Sequence, residues 1–216
     1  MPKPCIIFDL DGTLIDSDQF DCRLYADAVR EVLGNVAIRP RWQDYEHVTD
    51  LGILRDICLD NAVGFEACVS RVRESFGALV RDYLDRRGPC EAMAGALALF
   101  DRLGARSEFE VGIATGGWGH TARMKLDAAG FAAAHVPLTS SDDGHERVHI
   151  MSKCRARMGA DGPTIYVGDG EWDRRASAQL GWGFIGIGAQ LRGRCRHWYP
   201  DLTPVELLQS LESAAA

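Results

Sequence analysis

Two carboxylates two residues apart, Asp9 and Asp11, close a short apolar run in the stretch Cys5-Ile-Ile-Phe-Asp9-Leu-Asp11-Gly12-Thr13-Leu14. In a strand, positions i and i+2 point the same way, so such a run would carry two close negative charges at one end of a sheet. A pair of this kind is costly without a cation. Its hard oxygen ligands suit Mg²⁺. The competing reading of the same residues is an Asp-Gly turn in which Asp11 accepts from backbone amides; the strand context favours the first.

The elements that must position this pair follow from hydrophobic patterning. Cys5 to Phe8 is a continuous apolar run with prolines before it and Asp-Gly after it, as expected of a strand buried on both faces. Similar runs recur at Val111–Ala114, Thr164–Val167 and Phe184–Ile187, with a weaker one at Val136–Leu138. Helical stretches over 95–103, 119–129, 146–158 and 172–180 separate them, giving the α/β alternation of a Rossmann-like, doubly wound parallel sheet. From about Ile15 to Gly88 the pattern changes. Phe20, Leu24 and Ala28 form one stripe at helical spacing, and Val69, Val72, Phe76, Leu79 and Tyr83 form another, before Gly-Pro at 88–89 ends the segment. We therefore expect a core of residues 1–15 and 89–216 carrying an inserted α-helical cap of residues 16–88. Its position directly after the first strand suggests a lid over the carboxyl end of the sheet, where open α/β sheets bind ligands; a helical subdomain with no gating role is the plainer alternative.

With these residues in view, the sequence resembles the haloacid dehalogenase superfamily, in particular its phosphoglycolate phosphatase-like members with a helical cap. The resemblance rests first on Asp9-Leu-Asp11-Gly-Thr after a hydrophobic strand, and on Gly168-Asp169-Gly-Glu-Trp-Asp173 after another. It implies that Asp9 is a nucleophile forming an aspartyl-phosphate, and that Asp11 is the general acid and base and lends its backbone carbonyl to the metal. By the same resemblance Asp169 joins Asp9 and Asp11 in holding Mg²⁺, with Asp173 in a supporting place; their plainer reading is a carboxylate cluster at a helix N-terminus. Thr115, with the backbone of Gly116, would hold phosphoryl oxygens; glycines at 116, 117 and 119 leave the backbone free to approach an anion, and a helix starting near His120 offers its positive end.

The family's cation, usually a lysine near a helix start, is where the chain departs from the pattern. Arg147 and Lys153 compete for the place, and Arg147, nearer the expected helix start, is preferred; both as solvated helix charges is the bland alternative. An arginine brings a fork of donors in place of a lysine's point charge. The resemblance thus implies a Mg²⁺-dependent phosphomonoester hydrolase acting on a small metabolite such as phosphoglycolate, a sugar phosphate or a nucleotide. A phosphomutase of the same superfamily and a catalytically silent binding module are the alternatives, the second hinted at only by the missing lysine. A dehalogenase is disfavoured, because members with that chemistry lack the second aspartate.

Weaker candidates remain. In the helical segment His47, Thr49, Asp50 and Arg55 are candidates to face a substrate, because Thr-Asp-Leu-Gly interrupts a helical run; a plain turn is as good a reading. Trp118 and Trp172 flank two of the motifs and wall a pocket or pack in the core. Cys5 reads as a small buried hydrophobe. His120, His145 and His149 show no metal-ligand spacing with one another.

The whole chain sets bounds on partners. Its 216 residues suit one domain or a core with a smaller insert, and 46% hydrophobic content can bury a core. A formal charge of -7 argues against nucleic acid polymers and anionic membranes as partners. Seven scattered cysteines without a CxxC pair read as free thiols of a reducing cytoplasm. No apolar stretch long enough to span a bilayer exists, and the N-terminal apolar run is too short for a signal peptide. A monomer or homodimer acting on a small-molecule phosphate ester is the expectation.

Overall fold

A computed structural model describes residues 3–17, 20–159, 161–203 and 205–213. A six-stranded, all-parallel sheet holds the order β5-β4-β1-β6-β7-β8. Its strands are β1 (Cys5–Phe8), β4 (Glu110–Ala114), β5 (Leu138–Thr139), β6 (Thr164–Gly168), β7 (Gly183–Ile187) and β8 (His197–Tyr199). A separate two-stranded antiparallel ribbon joins β2 (Ile15–Asp16) to β3 (Glu91–Ala92), so the chain leaves and re-enters the core at one place. The helices are α1 (Asp21–Leu33), α2 (Asp50–Asp60), α3 (Val69–Arg87), α4 (Ala96–Gly104), α5 (Gly119–Ala128), α6 (Arg147–Met158), α7 (Glu171–Leu180) and α8 (Val205–Ser213).

Strand β1 lies between β4 and β6, and all four of its residues are buried. Successive side chains alternate faces. Cys5 and Ile7 meet Ile150, Met151, Cys154 and Ala176 of α6 and α7. Ile6 and Phe8 join the larger cluster with Leu99, Phe100 and Leu103 of α4, Leu126 of α5 and Leu207 of α8. Cys5 is fully buried, beside the sulfur of Met158. The chain runs from β1 outward through β4 to β5 and then returns to β6 on the other side of β1, so the order reverses between β1 and β6. Open α/β sheets bind ligands at such a reversal.

The sequence pattern missed β8, the β2/β3 ribbon and α8. Each is short or lacks periodicity; β8, for instance, carries three aromatic residues with one exposed and two half-buried. Thr-Asp-Leu-Gly at 49–52 does not break a helix. Thr49 is the N-cap of α2, its hydroxyl accepting from Gly52 N at 3.1 Å.

Between β2 and β3 the helices α1 and α3 pack along each other, and the stripes on Leu24 and Ala28 and on Val72 and Phe76 are buried. Their apolar faces continue into the core. Tyr25 of α1 lies edge-on to Phe76 of α3 at 5.5 Å and stacks on Trp118, the residue before α5, at 5.6 Å. Trp118 is therefore a packing residue between the insert and the sheet layer. Truncating Phe76→Ala removes the common partner of Tyr25 and Trp118. A loss of about 3–5 kcal/mol is expected for a buried phenylalanine, measured as a lowered midpoint in urea unfolding.

Candidate active site

The loop after β1 brings its two carboxylates to the carboxyl end of the sheet. Asp9 N still donates to Val167 O of β6 at 2.8 Å, which holds the Asp9 backbone in the ladder. The chain then turns tightly, with Leu14 N and Ile15 N both donating to Leu10 O. Gly12 makes this turn at φ +76°, and a Cβ there would sit 2.5 Å from Asp169 Oδ2, so glycine is required by conformation and by space. Asp169 and Asp173 arrive from β6 and the first turn of α7. Gly170 N donates to Asp173 Oδ2 at 3.0 Å, tying that carboxylate to the helix start.

Asp9, Asp169 and Asp173, all buried, place oxygens within 4.8 Å of one another. Asp11 is not part of this carboxylate group. Its Oδ1 instead accepts from Ser17 Oγ at 2.6 Å and from Lys125 Nζ at 2.5 Å. Asp173 Oδ1 is buried and has no hydrogen-bond partner among the described residues, only the Arg147 charge 3.2 Å away. Burial and the neighbouring Asp9 charge hold the Asp173 carboxyl at about 8, against the Arg147 pull. Burial, with Asp11 beside it, likewise raises Asp9. Three closely spaced carboxylates that offer only hard oxygen fit a small divalent cation.

Of the two expected cations, the structure brings Arg147 to this group and leaves Lys153 away from it. Arg147 opens α6, and its Nη1 lies 3.0 Å from Asp9 Oδ1 and 3.2 Å from Asp173 Oδ1. Its Nη2 donates to Val48 O of the insert at 3.0 Å. Burial opposes the charge, yet Asp173 and Asp9 hold the guanidinium firmly protonated. Lys153 Nζ instead bonds to Asp143 O at 2.9 Å, on a partly exposed side chain. Gly116 allows the Arg147 approach, because a Cβ there would lie 2.6 Å from Nη2. Thr115, at the end of β4, is buried and accepts from Gly117 N at 3.0 Å through its hydroxyl oxygen.

A cavity of about 290 Å³ opens over these residues, lined on the core side by Asp9, Asp11, Thr115, Gly116, Arg147 and Asp169. Thr49 and Asp50 line it from the insert; His47 and Arg55 line a different depression, and Trp172 but not Trp118 reaches the cavity wall. The start of α2 is seated on the core: Asp50 N donates to Gly116 O, Trp118 N donates to Asp50 Oδ2 at 2.8 Å, and Thr49 Oγ1 donates to His145 O at 2.7 Å. His145 and His47 meet edge to face at 5.2 Å.

Sequence reasoning missed Lys125. It is 1% exposed in α5, with Nζ 2.5 Å from Asp11 Oδ1 and 2.8 Å from Asp21 Oδ1. Burial works against its ammonium, but Asp11 and Asp21 together raise it above the ordinary lysine range. The signal was available in principle. Lys125 shares the buried face of α5 with Thr121, Ala122 and Leu126, and a charge on such a face needs a partner. Gln190, which donates to Asp169 Oδ2 at 2.5 Å, left no such trace.

Two outcomes follow from these charges. Because burial beside Asp9 pushes the Asp173 carboxyl up to about 8, and a cation held by its neighbours would favour the ionised form, divalent-metal affinity rises with pH toward about 8 and falls below it, with protons released on binding; calorimetry in buffers of different ionisation enthalpy measures both. Lys125→Met removes the ammonium that lies between Asp11 and Asp21. Since both carboxylates are partly exposed, the lower end of the range for broken buried pairs applies, about 3 kcal/mol, read from the urea midpoint.

The haloacid dehalogenase-like hydrolase model matches residues 3–181. No curated protein sequence matches the chain. A hydrolase from Pseudomonas syringae shares the fold over 100% of both chains, with TM-score 0.75 and 21% identity. β-Phosphoglucomutase from Clostridium difficile aligns over 99% of this chain and 98% of its own, with TM-score 0.73 and 12% identity. CbbY from Rhodobacter sphaeroides, solved in complex with phosphate, aligns over 95% and 96%, with TM-score 0.67 and 15% identity. At these identities the likeness is one of fold, while the family match spans most of the sequence, and the chain belongs to the haloacid dehalogenase-like hydrolases.

Proposed function

We propose that the protein is a Mg²⁺-dependent phosphatase that hydrolyses a small phosphomonoester through an aspartyl-phosphate on Asp9. The observation that carries this reading is the convergence of Asp9, Asp169 and Arg147 at the floor of one cavity, with Asp173 buried against them. Phosphoryl transfer needs positioning and charge neutralisation above all, since a phosphate dianion and a carboxylate repel each other. Asp9, Asp169 and the Asp11 backbone carbonyl would hold Mg²⁺, with Asp173 supporting them, and the bound ion would supply charge neutralisation at the phosphoryl oxygens.

The remaining steps belong to the chain's own residues. An Asp9 carboxylate oxygen attacks phosphorus as the bond to the leaving oxygen breaks, and Asp11 gives that oxygen a proton. Asp11 then takes a proton from water, which attacks the same phosphorus and frees Asp9 and inorganic phosphate. Ser17 and Lys125 hold Asp11 Oδ1, and Oδ2 lies on the Gly117 side of the cavity. Thr115 and the Gly116 backbone orient the transferring group, with Arg147 beside it. Helices α1 to α3 act as the cap, and no helix among the described residues is long and apolar enough to cross a membrane.

The test is phosphate release from a panel of small phosphomonoesters with and without Mg²⁺. Release should require the metal and vanish in Asp9→Asn; undiminished release by that variant would sink the assignment. Arg147→Ala should lower kcat by about 10²- to 10³-fold, the range for removing a group that stabilises transition-state charge. Lys153→Ala, remote from the cavity, should stay within about twofold, as surface substitutions away from a site do.

A further inference from the structure

The cavity has two chemically different ends. At the floor lie Arg147, Thr115 and the carboxylates of the sheet; toward the insert lie Asp21, Cys22, Tyr25, Trp42, Gln43 and Asp50. Among the described residues that line it, Arg147 is the one cation, and its Nη1 already faces Asp9 and Asp173. Lys125 lies beneath, 1% exposed, with its charge between Asp11 and Asp21. Among the described residues, the insert end therefore carries carboxyl groups and no basic group to answer a negative one.

The two acids there differ. Asp21 is paired with Lys125. Burial, with the Asp21 charge beside it, pushes the Asp50 carboxyl toward its protonated form in spite of the Lys125 charge. Its Oδ2 accepts from Trp118 N. The Asp21 carboxylate and the Gln43 amide oxygen offer hydrogen-bond acceptors, and Tyr25 and Trp42 offer ring surface, edge to face at 5.6 Å, to a carbon skeleton. A carboxylate or second phosphate enclosed here would lose its hydration beside Asp11 and Asp21, two carboxylates that share the one Lys125 charge, which costs several kcal/mol in comparable juxtapositions.

We infer that the site takes phosphomonoesters whose alcohol part bears hydroxyl or ammonium donors and no second anionic group. This rests on the phosphatase reading for which end holds the phosphoryl group. It removes phosphoglycolate from the substrate classes that the sequence admits. It also weighs against a phosphoryl-returning mutase, because a phosphoryl group handed back to a monophosphate passes through a bisphosphate.

The experiment uses matched pairs: glycerol 1-phosphate against 3-phosphoglycerate, fructose 1-phosphate against fructose 1,6-bisphosphate, and phosphoethanolamine against phosphoglycolate. Each is measured as kcat/KM on the Mg²⁺-loaded protein and, independently of turnover, as calorimetric affinity for Asp9→Asn. The non-anionic member of each pair is expected to lead by at least about tenfold, and the glycerol and ethanolamine arms separate hydroxyl from ammonium recognition. Gln43→Lys, at the exposed mouth, should narrow the ratio by at least about threefold by improving the anionic member. Equal or better performance of the anionic members in the wild-type protein overturns the inference. So does a lack of binding of every non-anionic member at millimolar concentration. Selective binding without phosphate release overturns the phosphatase reading and leaves the charge selectivity standing.

Discussion

Everything at the end of the sheet depends on the cost of placing carboxylates side by side out of water. Asp9, Asp169 and Asp173 are buried within 4.8 Å of one another, and Asp11 stands two residues from Asp9. Such a group persists only where charge answers it. Among the described residues, two cations with little exposure, from two different helices, answer these acids. Arg147 serves Asp9 and Asp173, while Lys125 serves Asp11 and Asp21. The division separates the acids into two sets. One set faces Arg147 and has the donor chemistry for a divalent cation; the other is fastened to α5 and the start of α1.

The same two cations join the layers. Lys125 links the core helix α5 to Asp21 of the insert, and Arg147 reaches across to the Val48 carbonyl. A lysine in place of Arg147 could neutralise one acid as a point charge, whereas the guanidinium fork faces the carboxylates with one nitrogen and the insert backbone with the other. The apolar contacts run in parallel, since Trp118 stacks on Tyr25 and lies against Phe76. The position of the helical insert is thus set by the groups that line the cavity as much as by its own apolar face.

Legibility followed the strength of the local signal. The buried strands β1, β4, β6 and β7 were readable because their apolar runs end in turn residues, and the order of the motifs along the chain carried the family. Arg147 was favoured over Lys153 because it stands at the start of α6, and the structure brings it to Asp9. Lys125 escaped because its partner Asp11 is 114 residues away in sequence and only the fold reveals the pair. Gln190 sits in a short turn with no periodicity around it. Asp50 looked like part of a break in a helix; it is the first residue of α2, and its burial comes from docking on Trp118 and Gly116, contacts between distant segments that no local pattern encodes.

The central place of β1 has a kinetic consequence. To pair Cys5 with Glu110 and with Thr164 the chain must close loops of more than a hundred residues, whereas α1 and α3 meet through much nearer neighbours. Loop closure is entropically expensive before the contacts reward it, and topologies rich in distant parallel pairing assemble slowly. The helical insert can gather its apolar stripes early, while Asp9 and Asp11 join the other acids only as β1 docks between β4 and β6. The charges that most oppose one another are therefore joined only through contacts that span the longest stretches of the chain.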